Sequence, residues 1–169
     1  IEGASDLKAV EHTVIPDRIE AATLMVAAAI TRGELTIENI SSAHLAAVTD
    51  ILRATGSEIG FSGNKAFVRA PAAPRPVDVT ALPYPGVPTD VQAQLTALLA
   101  MADGISVVTD KVFPDRFMHI PELMRLGANI RREGASAIIS GTDRLSGTCV
   151  MASDLRASAA LLLAALAAE

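Results

Sequence analysis

Apolar positions along the chain change their spacing in a way that marks out alternating helices and strands. From Pro16-Asp17-Arg18 to about Thr31 the residues are mostly apolar and suited to a helix. Gly33 then separates them from the strand-like run Glu34-Leu35-Thr36-Ile37-Glu38. A second helix is predicted from about Ser42 to Ala54, where Leu45, Val48, Ile51 and Leu52 recur at helical spacing, and Gly56 ends it. Two short strands around Ile59 and Phe67-Val68 flank the turn Ser62-Gly63-Asn64.

The same pattern then restarts. Thr89-Asp90 opens a helix to about Met101, and Gly104 leads into the strand Ile105-Ser106-Val107-Val108-Thr109. A helix over Ile120 to Leu126 stops at Gly127, and Ile130 and Ile138-Ile139 mark paired strands. Gly33 and Gly104, Gly56 and Gly127, and Val68 and Ile139 are each separated by 71 residues, the signature of a repeated unit. A third unit is predicted to start with a strand at Gly147 to Met151 and a helix from Asp154 to Ala168. The reading is therefore α/β: one incomplete domain over residues 1–169, built of βαβαββ units at about 7–70, 77–140 and 145–169, the last cut short. Each unit carries a leading strand such as Val77-Asp78-Val79-Thr80. The first helix of each unit is apolar almost all round, so helices inside and sheets outside is the predicted arrangement. The proline-rich stretch Ala70 to Pro88 reads as the crossover between units.

Composition narrows the chemistry. Half of the 169 residues are apolar, enough for a real core, and the net charge is -5 with aromatics at 3%. Nucleic-acid binding is disfavoured, because it needs a clustered basic stripe and stacking rings. The apolar stretches Ala21 to Ile30 and Ala157 to Ala168 fall short of the roughly 20 residues that span a bilayer. A single cysteine, Cys149, and the lack of any Cys/His cluster fit a reducing, cytoplasmic compartment and suggest neither a disulfide nor a metal. Cys149 itself is expected to be a small buried hydrophobe within a strand. The chain opens at Ile1 without methionine or a secretory leader and stops at Glu169 where another strand is expected, so truncation at both ends is the working expectation.

Asp17, Asp90 and Asp154 each stand at a predicted helix start, where an aspartate either caps the helix or takes part in a charged site. If the units pack around one axis, these starts share one end, and Arg18, Arg116 and Arg156 would gather there as a mouth for a multiply charged small anion. His12, His44 and His119 are isolated in sequence and read as structural. No Ser/His/Asp triad or glycine-rich phosphate loop is present. Composition and spacing lead no further than an α/β domain with an anion-binding end.

Four ordered segments add a resemblance. They are Val10-Glu11-His12-Thr13-Val14-Ile15-Pro16-Asp17-Arg18-Ile19-Glu20-Ala21, Val87-Pro88-Thr89-Asp90-Val91-Gln92-Ala93-Gln94, Val112-Phe113-Pro114-Asp115-Arg116-Phe117-Met118-His119, and Leu145-Ser146-Gly147 followed by Met151-Ala152-Ser153-Asp154-Leu155-Arg156-Ala157-Ser158. Together they resemble the UDP-N-acetylglucosamine enolpyruvyl transferases of bacterial peptidoglycan synthesis. The resemblance implies two domains of threefold-repeated units with inward helices, and transfer of enolpyruvyl from phosphoenolpyruvate to the 3'-hydroxyl of UDP-N-acetylglucosamine without a cofactor. It implies that Asp90 meets the sugar hydroxyl as general base, and that Val112 meets the UDP-sugar through its backbone. Arg116 and Arg156 would face phosphoenolpyruvate, while Asp154 orients Arg156 or lies near the developing cation. Asp17 and Arg18 would support the site.

The resemblance also implies a partner domain with a reactive cysteine loop outside this chain. Cys149 does not match that loop, and the fragment alone is expected to be inactive. Two rival readings are the sister enzyme acting on shikimate 3-phosphate and a non-catalytic binding domain of the same fold.

Overall fold

The computed structural model describes every residue except Ile1, Ala4 and Ser5. Its first unit consists of α1 (Arg18–Ile30), β1 (Glu34–Ile37), a 3-10 turn at Ser42–His44, α2 (Ala46–Ala54), β2 (Glu58–Ser62) and β3 (Lys65–Arg69). The second repeats it as β4 (Val79–Ala81), α3 (Thr89–Leu99), β5 (Ile105–Asp110), α4 (His119–Arg125), β6 (Asn129–Glu133) and β7 (Ser136–Ser140). Helix α5 (Leu155–Leu166) belongs to the third. The two units form separate sheets in the orders β1-β3-β2 and β4-β5-β7-β6, antiparallel except for the β4–β5 pair.

Helices α1, α3 and α5 pack on one another as the centre of the fold. Helix α3 is enclosed most completely: of Thr89 to Leu99 only Asp90 is not buried, and Leu95, Leu98 and Leu99 have no solvent exposure. The 71-residue repeat is visible as a contact, since Gln94 Nε2 donates to Thr23 Oγ1 at 3.1 Å between equivalent positions of α3 and α1. The predicted glycine punctuation is also explained. Gly56 and Gly127 follow α2 and α4 with φ of +104° and +96°, a conformation that costs a residue with a Cβ.

The structure departs from the predicted pattern in four places. Residues 8–10, the positional counterparts of β4, are exposed and form no strand. Strand β4 is fastened to β5 by Val77 N–H donating to Ser106 Oγ and Val107 N–H donating to Asp78 Oδ1. The first unit has Leu35 and Leu7 at the places of Ser106 and Asp78, so neither clamp exists there. The predicted strand at Gly147 to Met151 is likewise irregular; instead Leu145 bridges Ala168, with Gly147 N–H donating to the Glu169 carbonyl at 2.9 Å. Cys149, on that irregular stretch, is exposed and not part of the core. Helix α5 is enclosed on one side only, leaving Leu155, Leu162 and Leu166 exposed; among the described residues both sheets belong to the first two units.

The proline-rich stretch serves as the crossover, tied down by Arg75 N–H to the Thr55 carbonyl and Asp103 N–H to the Pro74 carbonyl. At the far end of β7, Gly141 crosses directly over the end of α3, donating to the Gly104 carbonyl at 2.9 Å. A Cβ on Gly141 would lie 1.6 Å from the Ala102 carbonyl oxygen. Gly141→Ala is therefore expected to lower stability by about 1–3 kcal/mol or more, read as a lower denaturation midpoint at unchanged m. An unchanged midpoint would show that this crossing does not constrain the fold.

Candidate functional site

Helices α3 and α5 begin at the same height in the bundle. Asp90 and Arg156 are each the second residue of their helix, so parallel packing brings the two side chains together. Arg156 Nε donates to Asp90 Oδ1, and Arg116 Nη1 reaches the same oxygen at 3.1 Å. Asp90 Oδ2 accepts no hydrogen bond among the described residues, which leaves one oxygen with free lone pairs on a carboxylate held by two guanidiniums. Each guanidinium keeps donors to spare, the fork that suits a carboxylate or phosphate.

Arg116 lies in the loop between β5 and α4 and is held on two sides. Its guanidinium stacks over the Phe113 ring at 4.0 Å, and Nη1 also donates to Thr89 Oγ1 at 2.9 Å. Thr89 in turn donates to Asp110 Oδ2 at 2.6 Å. The other oxygen of Asp110, a fully buried carboxylate at the end of β5, accepts the amides of Val112 at 2.9 Å and Phe113 at 2.8 Å. From the sheet side, Arg132 clamps the same loop by donating to Asp115 Oδ1 at 2.7 Å and lying over Phe117. The loop is thus fixed at both ends before any ligand arrives.

Asp154 caps α5, its Oδ1 accepting the amides of Arg156 at 2.7 Å and Ala157 at 3.0 Å. The Ala157 amide foremost, then the Arg156 amide and the charges of Arg156 and His119, hold its carboxyl below the usual carboxylate range against a partial desolvation. Asp154, Arg116, Arg156, Met118 and Phe113 line one depression of about 330 Å³. Asp90, Arg156, Asp17, Gln94, Leu24 and Leu155 border a second, of about 410 Å³, where the three helix starts meet. A larger hollow of about 500 Å³ lies over β1, β2 and β3, but its Glu34 and Glu58 pair with Arg69, and no free cations converge there.

The sequence expectations fare differently at each residue. Asp90, Arg116, Asp154 and Arg156 are brought together, and Asp17 borders the same groove while capping α1 through the amides of Ile19 and Glu20. Asp90 is not a cap: the counterpart of Asp17, 71 residues on, is Pro88, and Asp90 sits two positions further along. Arg18 does not join the mouth. It lies over the Tyr84 ring at 4.9 Å and makes no ion pair among the described residues. The Val112 amide is already bound by Asp110, so its carbonyl is the backbone group left for a ligand. Thr89, Asp110 and Arg132 were not singled out from the sequence, because their partners lie on other elements and no local spacing links them.

A carboxylate with one free oxygen, held by one guanidinium from an inward helix start and one from the neighbouring loop, has the chemistry to meet a hydroxyl next to an anion. The family model for EPSP synthase (3-phosphoshikimate 1-carboxyvinyltransferase) matches residues 1–169, and the chain belongs to this family. It is 52% identical over 171 residues to UDP-N-acetylglucosamine 1-carboxyvinyltransferase of Akkermansia muciniphila, covering all of this chain and 40% of that protein. UDP-N-acetylglucosamine 1-carboxyvinyltransferase 2 of Carboxydothermus hydrogenoformans is 51% identical over the same span and covered to 41%. The chain thus spans about two-fifths of the length of these relatives. Among solved structures, the enolpyruvyl transferase NikO from Streptomyces tendae superimposes with a TM-score of 0.83 at 32% identity, over 93% of this chain and 38% of that one. EPSP synthase from Acinetobacter baumannii, at 20% identity and a TM-score of 0.70 over 94% of this chain and 38% of its own, shares the fold.

His119 on α4 packs behind the site, almost wholly buried, with Nε2 unpartnered. Burial lowers it from 6.5 to about 4, with the Asp154 charge opposing in part. Between these pH values the unfolded chain binds the extra proton, so stability falls as pH drops from about 6.5 to 4, by roughly 3 kcal/mol at about 1.4 kcal/mol per pH unit. Asp154 acts in the same direction lower down, losing its contribution as pH falls below the ordinary 3.8 through its depressed folded value. His119→Gln is expected to flatten the upper part of this profile in urea unfolding measured from pH 7 to 4. An identical slope in the variant would refute the assignment.

Proposed function

We propose that the protein containing this chain transfers the 1-carboxyvinyl (enolpyruvyl) group of phosphoenolpyruvate to the 3'-hydroxyl of UDP-N-acetylglucosamine, with release of phosphate and no cofactor. The observation that carries the proposal is Asp90, with Oδ1 held by Arg116 and Arg156 and Oδ2 free. Relatives about half identical along the whole chain and named for this transfer support the choice of substrate.

In this reading Asp90 Oδ2 accepts the proton of the attacking hydroxyl, as a general base placed within hydrogen-bond reach. Arg116 and Arg156 hold the carboxylate and phosphate of phosphoenolpyruvate and shield the charge that shifts toward the phosphate as it leaves. The new bond joins the sugar oxygen to C2 of phosphoenolpyruvate while its methylene carbon gains a proton. Loss of phosphate and of a proton from the methyl group so formed then restores the vinyl group. The Val112 carbonyl meets the nucleotide sugar, Asp154 keeps Arg156 in place through its backbone, and Asp17 closes the groove. The donor of the methylene proton lies in a second domain of the longer chain. Holding both substrates against this rim supplies much of the acceleration, since orientation is worth about 7–11 kcal/mol in favourable cases. The product places the protein in bacterial cell-wall synthesis and in the cytoplasm. Among the described residues no helix is long and apolar enough to cross a membrane.

In the full-length protein, Asp90→Asn is expected to reduce kcat about 10²–10⁴-fold with little change in substrate affinity. Arg116→Ala is expected to raise KM for phosphoenolpyruvate about tenfold or more. Unchanged steady-state kinetics in both variants would remove the reading. Calorimetric titration with UDP-N-acetylglucosamine and, separately, shikimate 3-phosphate decides between the two acceptors, and only the first is expected to bind. The isolated 169-residue chain is expected to release no phosphate from the two substrates; turnover by it would show that the second domain is not needed.

A further inference from the structure

We infer that Asp110 and Thr89 form a positioning relay that fixes where Arg116 points, an inference that rests on the transfer reading for its kinetic consequences. Asp110 makes no contact with the open groove. It is a carboxylate with no solvent exposure, and its partners are one hydroxyl and two amides, with no cation bonded to it directly. Burying such a group is costly unless each oxygen has a use. Here one oxygen shapes the Val112-Phe113 turn and so places the ring on which Arg116 stacks. The other takes the only proton of the Thr89 hydroxyl.

That second bond sets polarity. A hydroxyl has one hydrogen to give, so donating it to Asp110 leaves Thr89 Oγ1 as an acceptor, and Arg116 Nη1 fills it at 2.9 Å. Both the edge and the face of the guanidinium therefore trace back to Asp110. Nη2 and Nε remain without partners among the described residues, ready for an anion. Asn at position 110 would have nearly the same shape but offer either an amide N–H to Thr89 or an amide N–H to the two backbone donors. The second choice sets donor against donor, and the first makes Thr89 accept from position 110 and turn its own proton elsewhere, so either one disturbs the relay.

The test uses the full-length protein. Thr89→Val, which keeps shape and removes the acceptor, is expected to raise KM for phosphoenolpyruvate about tenfold while KM for UDP-N-acetylglucosamine stays within about twofold. Thr89→Ser should restore the wild-type value, and in an Arg116→Ala background Thr89→Val should add less than about twofold, since the relay acts only through that arginine. Asp110→Asn should show the same split if it folds, and Thr89→Val carries the test if it does not. No rise in KM, an equal rise for both substrates, or a Thr89→Val effect undiminished in the Arg116→Ala background would overturn the inference. Wild-type protein without carboxyvinyl transfer would remove the functional reading instead. The relay is then read by calorimetry with inorganic phosphate, where Thr89→Val is expected to weaken binding about tenfold and unchanged affinity would overturn it.

Discussion

The meeting of helix starts at one height is the constraint on which the site depends. Because α3 and α5 run side by side with their first turns level, the second residue of each faces the second residue of the other. At those positions the chain has Asp90 and Arg156, and their ion pair follows from the register of two buried helices, not from any flexible loop. A slip of one residue would turn each side chain by about 100° and part them. The apolar faces of α3 hold that register, so the core and the chemistry are specified by the same packing.

Two guanidiniums converge at this rim of an acidic chain. They share one carboxylate oxygen, which offsets their mutual repulsion and leaves those three groups a single net positive charge, countered nearby by Asp154 and Asp17. Asp154 adds a negative charge nearby, but its oxygen is occupied by the first amides of α5, so it stabilises the helix start without competing for the arginine side chain. Asp17 does the same on α1. Only Asp90, one position inside its helix, is spared the capping role, and this displacement makes it available for chemistry.

The repeat was legible in the sequence because it is written in glycines and alternating apolar residues, which report local backbone needs. Gly56 and Gly127 announced the ends of α2 and α4, and the buried Val68 and Ile139 marked equivalent strands. The missing leading strand of the first unit was not legible. Its formation in the second unit relies on Ser106 and Asp78 reaching across strands, and only a strand-to-strand register reveals that Leu35 and Leu7 stand in their places. Cys149 was misplaced for a related reason: an apolar run suggests a strand, but with no partner to pair, the run stays exposed. The resemblance pointed to Asp90, Arg116 and Arg156, whereas Thr89 and Asp110 belong to a network closed only in three dimensions.

The two arginines are prepared for binding to different degrees. Arg116 is held between a ring and a hydroxyl and retains 21% of its side-chain exposure, whereas Arg156 retains 39% and is fixed at its side-chain end by Asp90. Immobilising a long side chain on binding costs about 0.5–1.5 kcal/mol, a cost the Phe113 and Thr89 contacts have already met for Arg116. Arg156 is the more exposed of the two and is tied through Nε to Asp90. The relay from Asp110 through Thr89, with the Phe113 ring, is what makes the two arginines unequal: it holds Arg116 at both edge and face, whereas the Arg156 side chain is held by Asp90 alone among the described residues.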